Sequence, residues 1–121
     1  MAELAIRFFV AFDGRVPVQV WLDSLDREAQ AKISVTLTRL ANGNRSHVKG
    51  LGSGVAELKV DFGPGYRIYF GQDGPTLIIL LAGGTKKRQG GDIATAKVRW
   101  ADYKARKSQR TADEAAHGSD T

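Results

Sequence analysis

The chain has 121 residues, of which 42% are hydrophobic and 26% charged, so its composition indicates one globular domain and excludes an intrinsically disordered protein. It has no cysteine, which excludes disulfides, thiolate metal sites and cysteine nucleophiles. Its longest apolar run, residues 77–82, is too short to span a membrane. We therefore expect an unexported, cytoplasmic protein with no membrane partner. The net charge is +5, and the excess of positive charge lies in residues 45–110, which have thirteen basic and five acidic side chains. This pattern is typical of proteins that bind a polyanion or an acidic partner. The alternative is a well-solvated surface with no binding role.

The first half of the chain predicts one strand followed by two helices. Residues 4–11 are rich in aromatic and branched side chains and lead to an Asp-Gly turn, which indicates a strand. Pro17 suits the first turn of a short helix, and Ser24 or Asp26 can cap a second helix that ends near Asn42. Apolar side chains recur at helical spacing in both segments, so we expect a helical hairpin.

The second half predicts three strands. Residues 56–62 alternate between apolar and polar side chains, which indicates a strand with one buried and one solvated face. A Gly-Pro-Gly turn separates this segment from residues 66–70, and we expect the two to pair as a hairpin. Residues 76–82 are apolar without alternation, as in a central strand covered on both faces, and Gly83 and Gly84 are expected to end it.

A basic loop, residues 85–91, is expected to lead into a last helix that Asp92 caps. Apolar and aromatic side chains then recur at helical spacing up to Tyr103. Further on the composition turns to small and polar residues, so we expect a folded domain over residues 1–107 and a disordered tail over residues 108–121. The order of elements indicates an α+β fold, in which an N-terminal helical hairpin and a C-terminal helix pack on a small antiparallel sheet.

Four motifs follow one another along the chain: Trp-Leu-Asp-Ser-Leu at 21–25, Val-Lys-Gly-Leu-Gly leading to Ala-Glu-Leu-Lys-Val at 48–60, Gly-Tyr-Arg-Ile-Tyr-Phe at 65–70 and Leu-Leu-Ala-Gly-Gly-Thr-Lys-Lys at 80–87. In order and spacing they resemble the RelE/ParE toxin superfamily, most closely its HigB-like, phage Gp49-like branch of addiction module killer proteins. The resemblance covers roughly residues 5–105.

The resemblance implies a RelE-like fold of the microbial RNase type. It also implies the toxin of a type II toxin–antitoxin system, an endoribonuclease that cleaves messenger RNA in the ribosomal A site and so inhibits translation. No metal or other cofactor is expected. The implied partners are the ribosome, mRNA and a cognate antitoxin, a helix-turn-helix protein encoded by the adjacent gene.

Metal-free RNA cleavage needs a base for the 2′-hydroxyl, cations that stabilise the phosphorane and an acid for the leaving 5′-oxygen. The resemblance places basic catalytic residues at Lys59, Arg67, Lys86 and Lys87. A guanidinium can hold a phosphate with two hydrogen bonds, although Arg67 could instead form a cross-strand ion pair with Asp61. Lys59 could act as a base only if its surroundings depress its pKa, and otherwise it binds phosphate or faces water.

Four more residues are expected to contact RNA: Lys49, Arg88, His47 and Tyr69. For the basic ones, simple solvation is the alternative, while the histidine could also serve as a base near neutral pH. We expect Phe62 to pair with Tyr66 across the turn. This register would gather a lysine, a phenol and a guanidinium on one polar face, beside the basic loop.

Two departures from the family pattern concern catalysis. Where relatives carry a tyrosine early in the last helix, this chain has Ile-Ala-Thr at residues 93–95, and Glu57 stands near a position that is lysine in some relatives. Two alternatives therefore accompany the nuclease hypothesis. One is a ParE-like DNA gyrase inhibitor, which needs no catalytic residues, and the other is a non-catalytic module whose basic face binds its antitoxin.

Overall fold

The computed structural model describes residues 3–118, which form one sheet and three α-helices. In chain order the elements are β1 (Ala5–Phe8), α1 (Pro17–Asp23), α2 (Arg27–Ala41), β2 (Val48–Gly52), β3 (Val55–Val60), β4 (Tyr66–Asp73), β5 (Leu77–Thr85) and α3 (Gln89–Gly118). A 3₁₀ turn, Lys86–Arg88, joins β5 directly to α3. The α+β class expected from the sequence is confirmed.

The sheet has five strands among the described residues, in the order β1-β5-β4-β3-β2. The pairs β2–β3, β3–β4 and β4–β5 are antiparallel. At one edge β1 pairs parallel to β5, with Ala5 opposite Leu77 and Phe8 opposite Leu80. The expected antiparallel sheet is therefore mixed, and the pattern did not predict β2, which forms the other edge.

The helical hairpin forms where the sequence predicts it. Pro17 occupies the first turn of α1, where its missing N–H costs no hydrogen bond. Asp26 caps α2, since its Oδ1 accepts a hydrogen bond from the Ala29 N–H at 2.8 Å. Ile33 and Leu40 bury the inner face of α2, and Asn42 ends it.

Helices cover both faces of the sheet, so two hydrophobic cores form. The first includes Val18, Ile33, Leu58 and Ile68, with Trp21 packed against it, and it lies on the α1–α2 side. The second lies under α3; it contains Val55, Tyr69, Ile79, Leu81 and Trp100. The inner strand β5, which lies between β1 and β4, is thus buried on both sides, as its unbroken apolar run predicts.

Gly83 and Gly84 do not end β5, which continues to Thr85. The expectation was wrong because these glycines serve packing rather than a turn. A Cβ on Gly83 would collide with the Trp21 ring, and one on Gly84 would collide with the Asp92 carboxylate. The absent side chains allow both groups to lie directly on the strand.

The register of the β3–β4 hairpin is shifted by two residues from the expected one. Val60, not Phe62, lies opposite Tyr66, and Lys59 lies opposite Arg67. The reason is that residues 61–65 form the turn, in which the Gly65 N–H donates to the Phe62 carbonyl at 2.9 Å. Asp61 is therefore not the cross-strand neighbour of Arg67.

The polar face predicted for β3 is only partly solvated. Glu57 is 5% exposed, because α3 packs over this side of the sheet, while Lys59 stays exposed near the end of the strand. Glu57 lies opposite Tyr69, the position that the expected register gave to Lys59. Alternation alone could not show that the second face is also covered.

The last helix is longer than expected at both ends. It begins at Gln89, so Asp92 lies within its first turn, and the expectation that Asp92 caps it is wrong. At its other end α3 crosses the predicted domain boundary at residue 107 and extends to Gly118, with residues 108–116 exposed. Residues 119–121 of the predicted tail lie outside the described part of the chain. None of the described helices is long and apolar enough to span a membrane.

Candidate functional site

Basic side chains of two strands and the 3₁₀ turn meet at one end of the sheet. Lys59 of β3 lies opposite Arg67 of β4, which lies opposite Gly84 of β5. The Lys86 N–H donates to the Gly65 carbonyl at 3.0 Å, which ties the 3₁₀ turn to the start of β4. We call the five basic residues gathered here the basic end: Lys59, Arg67, Lys86, Lys87 and Arg88.

Arg67 is the buried member of the basic end. It is 6% exposed, and its Nε lies 3.4 Å from Oε1 of Glu57. Its Nη1 donates to the Tyr66 carbonyl at 3.2 Å, and Glu57 also accepts a hydrogen bond from Nε2 of Gln89. Arg67 thus forms a cross-strand ion pair, as one alternative held, but with Glu57 instead of Asp61.

The Glu57–Arg67 pair changes what the sequence implies about both residues. A buried carboxylate with two partners does not face an incoming phosphate, so Glu57 does not repel RNA from the surface. The same pairing keeps the guanidinium of Arg67 beneath the surface. Removing one member of such a pair leaves a buried, uncompensated charge, so the loss of either residue should destabilise the fold.

Tyr69 is fully buried in the core under α3, so the expectation that it lies on an accessible polar face is wrong. Its hydroxyl has no hydrogen-bond partner among the described residues. Burial, with smaller contributions from the charges of Glu57 and Asp92, raises the pKa of Tyr69 to about 12. In this structure the ring cannot stack on a nucleic acid base.

The other four members of the basic end are exposed. The Lys59 side chain is 48% exposed, and its Nζ lies 3.6 Å from Oδ1 of the exposed Asp61, a kind of pair that contributes little energy and leaves the ammonium available. Lys86, Lys87 and Arg88 are exposed and form no ion pair with any of the described residues. These side chains can therefore bind an anion with little disruption of existing interactions.

Asp92 is a site residue that the sequence pattern indicated only as a helix cap. Its carboxylate packs on Gly84, and its Oδ2 is buried without a hydrogen-bond partner in the described residues. Burial raises the pKa of Asp92, and the nearby charges of Arg88 and Arg99 oppose this shift. A carboxyl group with a raised pKa, close to exposed cations, is a candidate proton donor. The signal in the sequence was Gly84, which such close packing requires.

Lys49 and His47 lie beside the basic end. Lys49 is exposed on the edge strand β2, opposite Glu57. His47 is exposed just before β2, and its carbonyl accepts from the Lys59 N–H at 3.0 Å. The structure thus brings together the basic residues that the sequence singled out.

The opposite end of β4 carries a contrasting charged cluster. Asp73 accepts hydrogen bonds from the Tyr103 hydroxyl at 2.6 Å and from Lys107 at 2.5 Å. These bonds, with Lys107 contributing most, lower the pKa of Asp73. Burial and the bond to Asp73 raise the pKa of Tyr103 to about 12. We call Asp73, Tyr103 and Lys107 the anchor, because they fasten α3 to the β4–β5 turn.

The arrangement at the basic end suits binding and polarisation of a phosphodiester. Exposed ammonium and guanidinium groups can stabilise charge on phosphate oxygens, and Asp92 can supply a proton. Within the described residues, no three His, Cys, Asp or Glu side chains are grouped so that they could hold a metal ion.

Two comparisons place these residues among known proteins. The family model of phage-derived Gp49-like proteins matches residues 20–104, a range from α1 into α3 that contains the whole basic end. An uncharacterized protein of Haemophilus influenzae (strain ATCC 51907 / DSM 11121 / KW20 / Rd) is 42% identical over 79 residues, which are 64% of this chain and 80% of that protein.

Proposed function

Since the chain belongs to the phage-derived Gp49-like family, we propose that it is the toxin of a type II toxin–antitoxin pair and inhibits translation by cleaving mRNA. In this proposal the protein belongs to the RelE/ParE superfamily, acts on the ribosome in the cytoplasm and needs no metal. The observation that carries the proposal is the group of four exposed cations, Lys59 and the run Lys86–Arg88, at one end of the sheet within the matched region.

The proposed reaction is attack of a ribose 2′-oxygen on the adjacent phosphorus, with breakage of the bond to the 5′-oxygen. Lys86 and Lys87 stabilise the negative charge that grows on the phosphate oxygens, because both are exposed and have no ion-pair partner among the described residues. Arg67 lies below them, held by Glu57, and acts as a positioning residue.

The residues proposed to transfer protons lie next to Arg67 or to its neighbours on the adjacent strands. Lys59 and Gly84 flank Arg67 on the neighbouring strands, and Asp92 packs on Gly84. Asp92, whose pKa is raised, protonates the leaving 5′-oxygen. The proton of the 2′-hydroxyl passes to a base on the other side of the phosphate, where His47 lies, while the ammonium of Lys59 binds a phosphate oxygen.

The proposed inhibitor is a cognate antitoxin from the neighbouring gene, a helix-turn-helix protein with an acidic segment. Such a segment would complement the exposed cations of the basic end and compete with RNA for them. Co-purification of the two gene products tests this partner, and failure to form a complex would count against it.

The test of the function is induction of the protein in a bacterial host, followed by mapping of transcript 5′ ends. We expect growth arrest with cuts at fixed codon positions, and we expect Lys86→Gln/Lys87→Gln to reduce cutting by at least tenfold. Arg27→Gln, which removes an exposed charge from α2, is the control and should cut like the wild type. Intact messages with DNA damage would instead indicate gyrase inhibition.

One observation favours a second candidate, a non-catalytic module that binds its antitoxin. Arg67 and Tyr69, two residues expected to contact RNA, are both buried. Under this alternative the lysine variant would bind the antitoxin more weakly, and neither the wild type nor the variant would cut transcripts or slow growth.

A further inference from the structure

A basic cleft separates α2 from the end of the sheet that carries β2 and β3. It has a volume of about 270 Å³. The side chains that matter for its chemistry are Lys32 and Arg39 of α2, His47, Lys59 of the basic end, and Asp61 and Phe62 of the β3–β4 turn. Charge along the chain did not predict that the two α2 cations lie near the basic end, since residues 1–44 are neutral overall.

The geometry of α2 explains why its cations line this cleft. Lys32, Val35, Thr36 and Arg39 recur at intervals of three and four residues, so they share one face of the helix. The neighbouring face carries Ile33 and is buried against the sheet. Packing of the buried face therefore turns the basic face towards the turn that follows β3.

The cleft carries a net positive charge. Lys32, Arg39 and Lys59 are cationic, whereas Asp61 is the one acid among the described residues that line it. Asp61 lies 3.6 Å from Lys59, which leaves both α2 cations without an ion-pair partner in the described residues. The site thus has two unpaired cations on one wall and a compensated pair on the other.

Phe62 gives the cleft an aromatic surface. Its ring is partly buried, and Nζ of Lys32 lies 5.7 Å from the ring centroid. Aromatic rings beside basic side chains are what proteins use to bind single-stranded nucleic acid, since bases stack on the ring while cations hold the backbone.

We propose that this cleft is a subsite for a backbone phosphate of single-stranded RNA, with the adjoining base packed on Phe62. The inference rests on the proposed function, because the RNA that enters the cleft is the strand that is cut at the basic end. Lys59 belongs to both places and joins them. The substrate path thus crosses the end of the sheet and continues against α2.

The size of the cleft favours RNA over an acidic protein. A helix with its side chains is about 10 Å wide and would not enter a volume of this size. A phosphate and one base are small enough to do so. An antitoxin helix would have to lie across the opening.

The test measures binding to a fluorescently labelled single-stranded RNA in which every 2′-hydroxyl is methylated, so that cleavage cannot occur. Anisotropy is recorded over a range of salt concentrations for the wild type, for Lys32→Gln/Arg39→Gln and for the matched control Arg27→Gln. We expect the double variant to bind about tenfold more weakly, and the slope of its salt dependence to fall by about 0.7 for each phosphate that it no longer neutralises. The control should match the wild type, and thermal unfolding should show that all three proteins are folded.

The outcomes separate the subsite from the proposed function. If the double variant binds RNA like the control while transcripts are still cut in cells, the subsite is wrong and the function stands. If the wild type binds no RNA and cuts no transcript, both are wrong. If the double variant loses antitoxin binding and keeps RNA binding, the cleft serves the protein partner and the proposal is overturned.

Discussion

The two ends of β4 show two different uses of charge. At the anchor, Asp73 is satisfied by Tyr103 and Lys107, and its side chain is only 15% exposed. At the basic end most cations are exposed, and three of them have no ion-pair partner among the described residues. Paired charges fasten the anchor together, while the unpaired charges of the basic end repel one another and gain from an anionic ligand.

Arg67 does not follow the division between the two ends. It lies at the basic end, yet it forms a buried ion pair with Glu57, in which each side chain is 7% exposed. We therefore expect a paired, buried charge to stabilise the fold and an exposed charge to serve binding, whichever end of the sheet it lies at. Three substitutions test this rule.

The largest effect is expected for Glu57→Gln. This change leaves the guanidinium of Arg67 buried without a counter-charge, which should lower the free energy of unfolding by about 3–5 kcal/mol. Urea denaturation at neutral pH measures it. A double variant, Glu57→Leu with Arg67→Met, removes both charges and should recover most of the loss. If the single variant loses less than about 1 kcal/mol, a common value for exposed pairs, the pair is solvated and the rule fails.

A smaller effect is expected for Asp73→Asn at the anchor. The variant loses the negative charge and one of the two acceptor oxygens, so one hydrogen bond is lost and the other is no longer charge-assisted, which should cost about 1–3 kcal/mol at pH 7. The pKa of Asp73 is lowered in the folded state, so its stabilisation is present above the unfolded pKa of about 4 and is lost as pH falls through the folded value.

The pH dependence provides the control for this experiment. The difference in unfolding free energy between wild type and Asp73→Asn should shrink as the pH is lowered from 7 to 3. Asp13→Asn, which breaks an exposed pair with Arg15, should have little effect at either pH. A difference for Asp73→Asn that stays constant with pH would mean that the charge of the anchor does not stabilise the fold.

Local patterns predicted most of the fold. Helical spacing and the capping residue Asp26 located α1 and α2, alternation and the Gly-Pro-Gly turn located β3 and β4, and an apolar run located β5, because these signals arise within a few residues of one another. The missed strand β2 contains two glycines in five residues, which hide its alternation. The exposed end of α3 has no large apolar side chain after residue 107, so no periodic signal marks it.

The site could be predicted only as a set of residue types. Lys59 and the lysines after β5 lie at the same end of the sheet, but the partner of Arg67 depended on a hairpin register that the pattern placed two residues away. The burial of Glu57 depended on α3, an element more than thirty residues further along the chain. Tertiary packing decides these features, and local periodicity carries no information about it.

The smallest effect on stability is expected for Lys59→Gln. This variant is the most direct test of the rule, because Lys59 is the cross-strand neighbour of the buried Arg67. Lys59 lies directly opposite Arg67, yet it is half exposed and its pair with Asp61 is at the surface. Its loss should change the free energy of unfolding by less than about 0.5 kcal/mol. Binding of the methylated RNA should nevertheless weaken by about tenfold, because Lys59 belongs to both the basic end and the cleft. Two residues that face each other on neighbouring strands would then have different roles: the ion pair of Arg67 stabilises the fold, and Lys59 binds RNA. If Lys59→Gln instead lowered the free energy of unfolding strongly, the position of a charge in the sheet would matter more than its pairing and burial.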